Sequence, residues 1–166
     1  MYTDTSLDNP FGRQWMWLLC NAPMKFWQDG APDPYPTIVS RSIRPEYWER
    51  QCGLYFPTED GYSYGIAEGK TTDQLNAWTG GWNHKSTRVM FANGEFDPWK
   101  DSTVSSSFRP GGPLESTAET PIFLIPGGIH CSDLLARNGV ANAGLQKIID
   151  AEVAQMKQWV GEFKPS

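Results

Sequence analysis

A chain of 166 residues with 39% hydrophobic and 20% charged residues is long enough to bury one core and has the composition of a folded protein, not a disordered one. A formal net charge of −5 without any Lys/Arg cluster argues against a nucleic-acid partner, which needs a basic face, and suits an acidic compartment. The first apolar stretch, Trp15 to Cys20, is too short for the core of a secretory leader or for a membrane span, so neither a leader nor a membrane partner is expected in this chain.

Residues 1–40 are rich in Pro and aromatic residues. Arg13 to Cys20 reads as a short strand or helix feeding a loop, after which Pro32, Pro34 and Pro36 forbid regular structure. Residues 45–52 predict a short helix opened by Pro45, with Tyr47, Trp48 and Cys52 on or near one face, followed by a loop over 53–70. Thr71-Thr72-Asp73-Gln74 has capping-box spacing and Gly80-Gly81 supplies a stop, which predicts a helix between them.

Arg88 to Asn93 is a short apolar run that favours a buried strand over a helix because of its length and the Gly94 that follows. Ser102 to Pro121, rich in Ser, Gly and Pro, predicts an exposed loop with room for one helical turn. Ile122 to Ile125 predicts a second buried strand, ended by Pro126-Gly127-Gly128. From Asn142 onward Leu145, Ile148, Ile149, Val153, Met156, Trp159, Val160 and Phe163 recur at three- and four-residue steps, the mark of an amphipathic helix. Strands buried on both faces, followed by a long helix, imply an α/β fold with a parallel sheet. Two strands do not complete such a sheet, and the others are expected upstream of Met1.

Two segments carry chemistry. Asn93-Gly94-Glu95-Phe96-Asp97-Pro98-Trp99 and Pro126-Gly127-Gly128-Ile129-His130-Cys131-Ser132-Asp133-Leu134 each follow a predicted strand. Functional groups of open α/β sheets sit just past the carboxyl ends of strands, and adjacent strands would bring the Asp97 and His130 loops together. A carboxylate that accepts from an imidazole fixes its tautomer and stabilises its charged form, as in a serine-hydrolase triad, and acid-then-base is the chain order of α/β-hydrolases. Against this, an Asp before Pro also starts turns, and a His after Gly-Gly also serves structure. The serines of Ser102 to Ser107, Ser132 and Ser166 do not lie on a strand-to-helix turn between small residues, and Gly61-Tyr62-Ser63-Tyr64-Gly65, which has GxSxG spacing, falls within the predicted loop over 53–70, without the strand and helix that would make it a nucleophile elbow. Cys131 adjoins His130, but sequence neighbours rarely aim their reactive atoms at each other, so a Cys–His enzyme is disfavoured. His84, in a polar loop, reads as solvated. Cys20, Cys52 and Cys131 form no CxxC pair, which argues against a zinc site and leaves a free thiol or three reduced cysteines.

At these residues the chain resembles the C-terminal part of the proline-specific serine peptidases that include lysosomal Pro-X carboxypeptidase, dipeptidyl peptidase II and the acid prolyl endopeptidases of filamentous fungi. The resemblance rests on Trp15 to Asn21, Tyr47 to Cys52, Thr79 to Trp82, Asn93 to Trp99, Arg109 to Pro113 and Gly127 to Leu134, most specifically on Asn-Gly-Glu-Phe-Asp-Pro-Trp, and is nearest the fungal branch. It implies the C-terminal portion of an α/β-hydrolase core preceded by the end of a helical cap, with residues 1–80 as the cap's end and return to the core and 81–166 as core. It also implies Asp97 as triad acid, His130 as base, and Trp99, with Met24, Phe26 and Trp27 more weakly, as a proline-binding pocket. A flat indole packs well on a pyrrolidine ring, although ordinary core packing accounts for such aromatics too. A disulfide partner of Cys20 would lie upstream. Ala22 stands where relatives often carry an acidic residue.

The reaction so implied is hydrolysis of proline-containing peptides, as an exo- or endopeptidase, through an acyl-enzyme, with no metal or organic cofactor, by a secreted or lysosomal/vacuolar enzyme. The nucleophile serine would come from a missing N-terminal part, leaving this chain inactive alone. The alternatives are a non-catalytic peptide-binding protein on the same scaffold and, more weakly, a lipase or esterase.

Overall fold

The computed structural model describes residues 2–8 and 12–164. The chain divides after Gly81 into two compact units.

In the first unit, Arg13–Asn21 forms helix α1, settling the strand-or-helix ambiguity of that stretch, and buries Leu19 and Cys20. Residues 22–44 have no regular structure, as three alternating prolines require; the excursion is closed where the Gly30 amide donates to the Ile43 carbonyl at 3.1 Å. The single helix expected over 45–52 is instead two short pieces, α2 (Pro45–Glu49) and α3 (Cys52–Tyr55), the latter running into the predicted loop. Between them the amide of Gln51 bonds three residues back, to the Trp48 carbonyl, the tighter ladder that ends α-helices.

Helix α3 packs on α1, and the Cα atoms of Cys20 and Cys52 lie 5.6 Å apart, within the usual span of a disulfide. They are bonded. The expectation of an upstream partner for Cys20 is therefore corrected: its partner is in this chain, on the facing helix. The reading of three reduced cysteines falls with it. Helix α4 (Thr72–Thr79) carries the capping box that its sequence predicts, with the Gln74 amide donating to Thr71 Oγ1 at 3.3 Å and the Thr71 amide to Gln74 Oε1 at 3.0 Å.

The second unit holds a parallel pair of strands, β1 (Phe91–Gly94) and β2 (Ile122–Ile125), in register from Phe91 opposite Ile122 to Gly94 opposite Ile125. Strand β1 starts later than predicted because Arg88 takes a positive φ of 55°, which breaks the extended run. The expectation of strands buried on both faces holds at Ile125 but not at Leu124, which is half exposed; two strands have too few neighbours to cover both faces. A helix not foreseen from the sequence, α5 (Ala136–Ala141), contains Asn138 and Gly139, poor helix formers that hid it. Helix α6 (Ala143–Glu162) begins where expected, with Asn142 Oδ1 accepting from the amides of Gly144 and Leu145. It packs on β2 and α5 and buries Leu145, while Val153, Met156 and Val160 further along the apolar stripe stay exposed. No helix among the described residues is long and apolar enough to cross a membrane.

Candidate active site

The parallel pairing of β1 and β2 does not stop at the strand ends. Past it the Glu95 amide donates to the Ile125 carbonyl at 3.0 Å and the Phe96 amide to the Gly128 carbonyl at 2.8 Å, so the two following loops are joined backbone to backbone. Gly94 makes this approach possible: a Cβ there would lie 2.5 Å from the Gly128 carbonyl oxygen, a clash with main chain that cannot swing away.

The first loop turns at Asp97, whose Oδ1 accepts from the Trp99 amide at 2.8 Å. Behind it the buried Asn93 accepts from the Thr103 hydroxyl at 2.8 Å, tying the end of β1 to the segment beyond the turn. The second loop leaves β2 through Gly127, which has a φ of 67°. It is closed by Ser132, whose Oγ accepts from the Ile129 amide and donates to the Ile129 carbonyl, both at 2.9 Å. That serine is buried and committed to its own turn, so it is not a nucleophile for the neighbouring imidazole.

These loops bring Asp97 and His130 into contact, Oδ2 to Nδ1, at 2.9 Å. The carboxylate accepts, so Nδ1 carries the proton and Nε2 is left as the basic nitrogen. The environments are unequal. The Asp97 side chain is 4% exposed and that of His130 57% exposed, an arrangement in which a shielded anion orients an imidazole that solvent or substrate can reach. Turn initiation and imidazole binding, alternatives when the sequence alone is considered, coexist at Asp97, one on each carboxylate oxygen.

A cleft of about 410 Å³ opens beside the pair, lined among others by Met90, Trp99, Cys131, Asp133 and Glu152. The Trp99 ring centroid lies 6.0 Å from that of His130, with the planes tilted by 38°. Asp97, His130 and Trp99 thus share one site. Met24, Phe26 and Trp27 belong to the first unit, where all three are half-buried and Phe26 stacks on Trp15 at 6.2 Å. His84 is exposed, as is Cys131.

Sequence reading passed over Glu152, although its position held the clue: it falls on the apolar face of α6, one helical step from Ile148, Ile149 and Met156. Burial raises its carboxyl pKa above the ordinary value, the nearby charge of Asp133 adds to this, and Oε1 is buried with no hydrogen-bond donor among the described residues. A raised folded-state value favours the protonated form, so the contribution of Glu152 to stability is full below its unfolded-state pKa and is lost as pH rises through the folded one. Glu152→Gln, which keeps the shape without the charge, is expected to raise the thermal midpoint at neutral pH and to leave it unchanged in acid. Melting curves of both proteins across that pH range check this; a gain of equal size at both ends would contradict it.

A family profile describing serine carboxypeptidase S28 matches residues 2–148. The chain belongs to the serine carboxypeptidase S28 family. It is 47% identical to serine protease vicPb of Bipolaris victoriae over 98% of the chain and 30% of that protein, and 45% identical to serine protease vicPa of the same fungus over 91% of the chain and 28% of that protein. It is 36% identical to the lysosomal Pro-X carboxypeptidase of Bos taurus over 51% of the chain and 15% of that protein. The chain thus spans less than a third of the length of these curated relatives.

Proposed function

We propose that this chain supplies the acid and base of a serine peptidase of the S28 family that cleaves peptides after proline. The observation that carries this reading is the 2.9 Å bond between the buried Asp97 and the accessible His130, at the ends of two adjacent parallel strands. A serine from outside these 166 residues attacks the scissile carbonyl. His130 Nε2 takes the serine proton and returns it to the leaving amine, and water then repeats the cycle on the acyl-enzyme, giving back the free serine. Asp97 stays ionised and holds the ring. Trp99, against the imidazole, supplies an indole face for the prolyl ring; a substrate-binding role for Met24, Phe26 and Trp27 rests on the family resemblance alone.

On this reading residues 81–166 are the end of an α/β-hydrolase core, residues 1–80 the end of its cap, and the enzyme is nearest the fungal branch. It works in a secreted or lysosomal setting, to which the lysosomal name of one relative and the Cys20–Cys52 disulfide lend support.

A fluorophosphonate probe tests the proposal. The 166-residue chain is expected to take up no label and to leave a prolyl-anilide uncleaved, whereas a longer product of the same gene is expected to be labelled once, on a serine outside this chain. Label on a serine within it would overturn the assignment. A longer product that binds proline-rich peptide but takes no label would turn the reading to a binding protein.

A further inference from the structure

The loop that carries Asp97 holds the loop that carries His130 at a second point. Glu95 Oε2 accepts from the Gly127 amide at 2.8 Å, at the root of the His130 loop, while the main chain on either side of that carboxylate makes the Glu95–Ile125 and Phe96–Gly128 bonds. Packing does little to fix this junction, because Phe96 is 68% and Ile129 65% exposed. Hydrogen bonds therefore set the distance between the loops. Of these the Glu95 bond joins them through a side chain, at a glycine whose left-handed conformation starts the turn toward His130.

We propose that Glu95 is a positioning residue: by gripping the Gly127 amide it keeps the His130 loop in the register that lets Nδ1 meet Asp97. The inference rests on the acid–base reading of the Asp97–His130 pair and adds a residue to it. The role is one of reach and not of charge. Gln at this position still offers an oxygen to Gly127, whereas Asp keeps the charge but is one methylene too short.

The chain has only two histidines, so imidazole nitrogen–proton spectra of the isotope-labelled 166-residue protein resolve His130, with His84 as internal reference. The wild type is expected to show one His130 tautomer, protonated at Nδ1, with a downfield, slowly exchanging N–H. Asp97→Asn should abolish that signal. Glu95→Gln should retain it, and Glu95→Asp and Glu95→Ala should lose it to a mixture of tautomers with rapid exchange, His84 being unchanged throughout. If Asp97→Asn loses the signal while Glu95→Asp and Glu95→Ala keep it, the positioning role is overturned and the pair stands. If Glu95→Gln loses it as fully as Glu95→Asp, reach is not the property that matters and the inference fails. If the wild type lacks it, the pair itself is absent and both readings fall together.

Discussion

Replacing His130 with Ala in an active peptidase that contains this chain is expected to lower kcat by about six orders of magnitude, and Asp97→Asn by about four. The difference follows from what each group does. Without the imidazole nothing takes the serine proton, and the rate falls to what binding and oxyanion stabilisation sustain alone. Without the carboxylate the imidazole remains but is wrongly protonated: the side-chain amide introduced by Asp97→Asn would present N–H to Nδ1, forcing the ring proton to Nε2, where the base should be. The carbonyl oxygen of that amide could still accept from the Trp99 main chain, so the turn survives and the loss reports chemistry, not folding. KM should move little, because neither side chain is asked to bind the distant parts of the substrate. Steady-state hydrolysis of a prolyl-anilide measures both constants. A fall of less than about tenfold for His130→Ala, against the six orders expected, would remove this residue from the mechanism.

The parts of the molecule that were legible in the sequence are those whose causes are local. The capping box of α4 needs only Thr71, Gln74 and Gly80, all within one short stretch, and it formed as spelled. The start of α6 at Asn142 and the end of strand β2 before Pro126-Gly127-Gly128 are of the same kind. Asp97 and His130 could be paired on paper because the strand-end rule supplies long-range geometry that residue spacing alone lacks. What escaped depends on three-dimensional neighbours. The bond between Cys20 and Cys52 follows from α1 packing on α3, and the expected single helix over 45–52 concealed that α3 exists. Glu95 looks like any exposed acid until Gly127 is seen beneath it, and Glu152 is one polar residue in an apolar stripe until one of its carboxyl oxygens is found buried. The same stripe misled in the other direction: Val153, Met156 and Val160 have helical spacing for a core that, among the described residues, does not cover them.

Removing the Cys20–Cys52 bond should cost the first unit about 3–4 kcal/mol, the loop-entropy value for a bridge between residues 32 apart. Against the roughly 5–15 kcal/mol that holds a typical domain together, this is a large share. The local context argues for the upper end. The buried apolar side chains described in this unit are few, Leu19, Cys20, Pro23, Cys52 and Tyr55, and two of these five form the bridge itself. Small cores of this kind depend on covalent staples because the area they bury is too little to offset chain entropy. The prolines and loops of residues 22–44 add length without adding a helix or strand to close around that core. The double replacement Cys20→Ala, Cys52→Ala is the cleaner test, since Ser at either site would bury a hydroxyl. Tryptophan fluorescence reports on this unit through Trp15, Trp17, Trp27, Trp48 and Trp78. The expected result is a guanidinium midpoint well below that of the oxidised wild type, reproduced in the wild type by a strong thiol reductant. A midpoint indifferent to both would mean that α1 and α3 are held by something other than their sulfur bridge.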